Sequence, residues 1–164
     1  MTDLPTPTEA SRTWCFCDTT FFLESKWLFS EAPWHTRWGF PRVVLVVPPA
    51  MVRVLDYAKA DPRRQQTRRR QRSIQVLKVL RAYSAAGALT TPSRLRDGVD
   101  LLLLDHESRS NEEALDLALP DDRLIAAALD FRETLPDQHV IVVSDDIGPW
   151  HKARRYGLDR REHR

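Results

Sequence analysis

VVLVVPPAMVRVLD, residues 43–56, changes character at its two prolines. The five residues before them are all apolar and four are β-branched, the composition of a strand buried on both faces. Pro48 and Pro49 stop that strand. Proline is welcome in a first helical turn, so a helix begins there and carries Met51, Val54 and Leu55 at helical spacing. An apolar strand leading straight into a helix is the building unit of a parallel sheet, and the chain repeats it on both sides. Upstream, residues 13–17 (TWCFC) read as a short buried strand ending at Asp18, followed by helical spacing over residues 19–30. Downstream, residues 99–104 (VDLLLL) read as a third strand. Residues 140–143 (VIVV) read as a fourth, ending at Ser144, Asp145 and Asp146. Between them lie one long helix with a basic front half, running from residue 63 to 83, and a loop over 87–98. Residues 111–119 are ambiguous, and a further helix is opened by Pro120, Asp121 and Asp122. A last helix, 149–156, stops at Gly157. This alternation predicts an α/β chain: a three-layer α/β/α arrangement around a central, mostly parallel sheet.

The chain has 164 residues, enough for one domain with a real core, expected over residues 13–158 between a flexible segment 1–12 and a charged, solvated tail 159–164. Lys plus Arg number 25 and Asp plus Glu 23, a net charge of +2. That balance excludes a generically basic nucleic-acid coat but not a local basic patch. The longest apolar stretch, residues 43–54, is broken by Pro48, Pro49 and Arg53 and falls short of the roughly 20 residues of a membrane helix. The first residues, MTDLPTPTEASRT, lack a basic-then-apolar leader, and the only cysteines are Cys15 and Cys17. The expectation is a reduced, cytoplasmic protein with no membrane association.

In open parallel sheets, ligands bind beyond the carboxyl ends of the strands. The residues there are Asp18, then Ser144, Asp145 and Asp146, with Asp121 and Asp122 at a helix start able to face the same edge. Carboxylates gathered at one rim repel one another, and a hard divalent cation such as Mg²⁺ or Mn²⁺ relieves the repulsion. Two such ions can generate hydroxide and stabilise the departing oxygen in phosphodiester cleavage. Thr19 or Thr20, together with Ser144, can add hydroxyl contacts. Each aspartate alone reads more readily as a turn or helix-cap residue; their common rim gives them weight.

CDTTFFLE at Asp18, VVLVVPPAMVRVLD ending at Asp56, LPDDRLIAAAL at Asp121 and VIVVSDDIGPWHKA at Asp146 together resemble the PIN-domain nucleases, in that family's order and spacing. The segment KADPRRQQTRRRQRSI is similar to the basic helix of a bacterial PIN subgroup. The resemblance implies a metal-dependent endoribonuclease. Asp18, Asp121 and Asp146 would be its catalytic metal carboxylates, Asp122 and Asp145 further ligands, Thr19 and Ser144 support, and Mg²⁺ or Mn²⁺ the cofactor. One block departs from the family. Where the family has Pro, five residues and then Glu-Leu-Asp, this chain has Val54, Leu55 and Asp56, so Val54 stands in place of a metal-site glutamate. Asp56 lies two residues on, a helical rotation of about 200°, and points elsewhere. A regulatory module that binds RNA or protein without cutting therefore stays open, and the resemblance leaves open a further alternative, the toxin of a toxin–antitoxin pair, since many small PIN domains serve so.

Residues 63–72 (RRQQTRRRQR) hold six arginines. Guanidinium groups grip phosphate bidentately, so Arg64, Arg68, Arg69, Arg70 and Arg72, with Lys152, are the expected contacts to RNA, single-stranded or structured. A homodimer and an antitoxin or other protein partner stay open. Of five tryptophans, Trp14, Trp27, Trp34 and Trp38 are expected in the interior, while Trp150 is a candidate for the rim.

Overall fold

The computed structural model describes residues 11–60, 67–89, 91–108 and 115–163. Its elements in chain order are β1 (Arg12–Cys17), α1 (Thr19–Glu24), α2 (Trp34–Trp38), β2 (Arg42–Val47), α3 (Pro49–Ala60), α4 (Thr67–Ala85), β3 (Ser93–Arg96), β4 (Val99–Leu103), α5 (Pro120–Thr134), β5 (His139–Val143), α6 (Ile147–Arg155) and β6 (Asp159–Arg161). One six-stranded sheet runs in the order β3-β4-β2-β1-β5-β6. Every pairing is parallel except β3 with β4. Helices flank the sheet in a three-layer α/β/α arrangement.

The four apolar strands expected from the sequence are the four central ones. β1, β2 and β4 are buried almost throughout, and β5 from Val140 onward. Trp14 and Phe16 of β1 pack on Phe131 of α5, with ring centroids 4.7 and 5.6 Å away, which seats α5 over β1. Phe21, Trp34 and Trp38 form a second aromatic cluster joining α1 to α2. The charge inside β4, Asp100, is 3% exposed and tolerated because Arg42 of β2 grips both its oxygens, at 3.0 and 3.1 Å.

Both edges of the sheet differ from expectation. Residues 93–96 form β3 where a loop was expected. The two-residue Asp97-Gly98 turn then folds β3 back onto β4, with Gly98 at φ +73°, a conformation glycine adopts without a Cβ clash. Residues 159–163 are not a solvated tail. β6 pairs with β5, the Trp38 indole N–H donates to the Glu162 carbonyl at 3.0 Å, and His163 is buried. The polar side chains of β6 gave no apolar signal, because its hydrogen bonds are made by the backbone. α2 was also not expected, and α6 begins two residues before the expected 149. Residues 115–119 are not helical, and 111–114 lie outside the described residues.

Among the parallel strands the chain moves outward from β1 through β2 to β4, then returns to the other side of β1 for β5. The β1/β5 boundary is therefore the topological switch point, where crossovers diverge and where open parallel sheets form their ligand crevice beyond the carboxyl ends of the strands. Asp18 follows β1 there, and Ser144, Asp145 and Asp146 follow β5.

Candidate active site

Ser144 joins the two sides of that crevice. Its hydroxyl donates to Asp18 Oδ2 at 2.5 Å and accepts the Asp146 backbone N–H at 3.0 Å. Parallel pairing of Cys17 with Val143 puts the two strand ends level, so residues 126 apart in sequence meet. Asp18 is also the N-cap of α1, taking the Phe21 N–H on Oδ1 at 3.0 Å and the Thr20 hydroxyl at 2.7 Å. The supporting hydroxyl is thus that of Thr20, with Thr19 in the first turn of α1. Burial pushes the Asp18 carboxyl above the usual carboxylate range, against the hydrogen bonds from Ser144, Phe21 and Thr20 that favour its charged form.

Asp121 and Asp122 lie in the first turn of α5, behind Pro120. Burial raises the Asp121 carboxyl, and so does repulsion from Asp18, Asp146 and Asp122, with the Lys152 ammonium opposing. That repulsion is the signature of four carboxylates from three separate segments sharing one region. Asp146 caps α6 without using its side chain for the cap, which leaves the carboxylate exposed at the rim. Asp122 is different: it is 1% exposed, accepts the Asp116 backbone N–H at 2.7 Å and is ion-paired with Lys152 of α6. Adjacent residues on a helix diverge by about 100°, so one aspartate reaches the crevice while the other is held inward.

The expected phosphate contact Lys152 therefore has its ammonium engaged inside the acidic site. Asp145 faces His163, whose backbone N–H it accepts at 2.9 Å and whose ring nitrogen Nε2 stands 3.4 Å from Oδ2. His163 escapes a sequence reading because it lies in an apparently polar tail. Its Nε2 is 3.3 Å from the Thr20 hydroxyl and its Nδ1 is 3.2 Å from the Ser25 hydroxyl, so the last described residue braces the Asp18 cap. Trp150 is half-buried, with the Arg160 guanidinium 4.2 Å over its ring. Trp14, Trp34 and Trp38 are buried, and Trp27 is half-buried, as expected of core aromatics. Cys15 and Cys17 are fully buried thiols, both pushed up by burial.

Val54 and Asp56 lie on different faces of α3. Val54 lines a cleft with Pro120 and Arg123 of α5, whereas exposed Asp56 lines a groove with Leu77, Leu80 and Arg81 of α4. No carboxylate from α3 reaches the crevice by way of Asp56. Of the basic residues, Arg68, Arg69 and Arg72 line a cleft against the end of α1, while Arg70 turns to donate to the Lys59 carbonyl at 2.9 Å. Arg64 lies outside the described residues.

Among the described residues no three His, Cys, Asp or Glu side chains already converge as a ligand set. In chemistry the donor set nevertheless fits a hard divalent cation. Asp18, Asp121 and Asp146 offer only oxygen, and repulsion from Asp18, Asp146 and Asp122 adds to burial in raising Asp121 against the Lys152 ammonium. Among the described residues no helix is long and apolar enough to cross a membrane.

A solved structure with a similar fold is a domain of a functionally unknown protein from Methanocaldococcus jannaschii DSM 2661. It is 12% identical, with a TM-score of 0.52, over 93% of this chain and 90% of that one. Among curated proteins none matches the chain. A family model described as PIN domain matches residues 15–163, which span every element described above apart from the start of β1. With the acidic crevice at its switch point and that match over nearly its whole length, the chain belongs to the PIN-domain family.

Proposed function

We propose that this protein is a divalent-metal-dependent endoribonuclease whose working carboxylates are Asp18, Asp121 and Asp146. PIN domains are in general metal-dependent nucleases, and the observation that carries the finer reading is the Ser144 hydroxyl bridging Asp18 to the Asp146 backbone beside Asp121. Asp18, Asp121 and Asp146 would hold Mg²⁺ or Mn²⁺, which when bound supplies a polarised water and charge neutralisation at a phosphodiester. The residues of the chain do the rest. Ser144, Thr20 and the Phe21 N–H fix both oxygens of Asp18. Lys152 neutralises Asp122 and so limits the repulsion that the rim must bear. The Arg-rich front of α4 binds the backbone of RNA. The test is cleavage of single-stranded RNA in Mn²⁺ by the wild type, D18N and D146N. Loss in both variants and in EDTA is expected; cleavage that survives D18N refutes the assignment.

A second reading has its own support. Val54 brings no carboxylate, and Lys152 already occupies Asp122, so a module that binds RNA without cutting is the alternative. Calorimetric titration separates the two. Mn²⁺ binding that is lost in D18N favours the nuclease, whereas RNA binding with no Mn²⁺ uptake favours the module.

A further inference from the structure

We propose that the cleft between the end of α1 and the front of α4 is a pocket for one phosphate of a bound RNA strand. The inference rests on the RNA reading above and adds a defined seat to it. The cleft has a volume of about 410 Å³, and Leu23, Glu24, Ser25, Arg68, Arg69 and Arg72 line it. Three guanidinium groups face one carboxylate there, a local excess of two positive charges. Glu24 reaches Arg69 at 3.6 Å, longer than a charge-assisted hydrogen bond. Arg69 Nε and Arg72 Nη1 are shielded from solvent and have no hydrogen-bond acceptor among the described residues. A buried donor left unmatched is costly, and two on arginines that line one cleft are matched when those side chains turn toward an acceptor with several oxygens. A phosphate diester supplies two non-bridging oxygens and a full negative charge, and guanidinium binds it in a planar fork.

Position favours nucleic acid over an acidic protein. Glu24 is six residues beyond Asp18 along α1, about 9 Å of helix rise. A strand with one phosphate in the cleft therefore lays a phosphodiester at the aspartates within a few nucleotides. Beneath the cleft a chain of side-chain contacts leads to the acidic site: Ser25 meets His163, His163 meets Thr20, and Thr20 donates to Asp18. Glu24 is then an internal competitor, an anion that the strand displaces.

Anisotropy of a labelled single-stranded RNA with the full chain in EDTA tests this without cleavage. R69Q and R72Q should each weaken binding about tenfold, the scale of a lost hydrogen bond to a charged group, and flatten the salt slope by ~0.7. E24Q should tighten binding about threefold, the scale of one exposed ion pair released. R81Q and D56N make the same charge changes at exposed positions of the other groove. They should move affinity less than about twofold, because Arg81 is ~13 Å along α4 from Arg72 and screened at physiological salt. An E24Q chain that binds RNA no tighter than the wild type overturns the pocket, as does R72Q behaving like R81Q. Tighter binding of polyglutamate than of RNA also overturns it and assigns the cleft to an acidic protein. A wild type that binds no RNA removes the RNA reading together with the pocket. Pocket variants acting as expected in a chain that never cleaves leave the pocket standing and remove only the nuclease.

Discussion

Replacing Lys152 with methionine keeps the side-chain length and deletes the charge that neutralises Asp122. Asp122 is 1% exposed, and once Lys152 is gone its described partners reduce to the Asp116 backbone N–H. Breaking a buried pair from one side typically costs 3–5 kcal/mol, about. Lys152 is 34% exposed, so water can follow the deletion and part of that cost is screened; the lower end, about 3 kcal/mol, is the expectation. For a chain of this length that is a fall in Tm of about 6–12 °C. The double variant K152M/D122N removes both charges and should recover most of the loss, because the penalty belongs to the stranded carboxylate rather than to a missing contact. Urea unfolding of the wild type, both single variants and the double variant closes the thermodynamic cycle. A K152M chain within about 0.5 kcal/mol of the wild type, the scale of an ordinary surface substitution, refutes the pairing. So does a double variant no more stable than K152M.

Three other outcomes follow from the same geometry. Asp121 has a raised carboxyl, so between the ordinary carboxylate range and the raised value the folded chain holds more protons at this residue than the unfolded one. Its contribution to stability therefore falls as pH rises through that window and stays lost above it. D121N should accordingly melt higher than the metal-free wild type at pH 7, with the gap closing as pH falls into the ordinary carboxylate range; equal melting points at pH 7 count against the clustering. V54E restores a carboxylate on the face of α3 that meets Pro120 and Arg123, and calorimetry should find Mn²⁺ bound more tightly than by the wild type; unchanged or weaker uptake places residue 54 outside the ion's reach. Truncation after Leu158 removes β6 and His163, so thermal unfolding should show a large loss of stability, whereas a solvated tail could be removed silently.

Much of the architecture was legible in residues 43–47, 99–103 and 140–143. A strand buried on both faces is apolar almost throughout, the one charge in these three, Asp100, being matched by Arg42. The prolines at 48, 49 and 120 and Gly157 mark helix ends through local backbone chemistry, so they too can be read without a partner. The edge strands could not be read the same way. β3 (SRLR) and β6 (DRR) are held through backbone hydrogen bonds that any side chain permits, although Asp97-Gly98 was a turn signal passed over for β3.

That Asp18, Asp145 and Asp146 stand at one edge followed from alternation, because parallel strands all present their carboxyl ends there. Which oxygen does what was settled only in three dimensions. Thr20 rather than Thr19 reaches Asp18; Asp122 turns inward to Lys152 while Asp121 faces the crevice; Asp145 bends to His163. Neighbours in sequence share composition and spacing but differ by about 100° around a helix. The partner that selects between them lies 2, 30 or 18 residues away. By itself the sequence determined the layers, the sheet and the rim on which acids collect, since these follow from periodicity and burial. The tertiary structure decided the pairings that give each acid and each arginine its neighbour, since those depend on where distant segments come to rest.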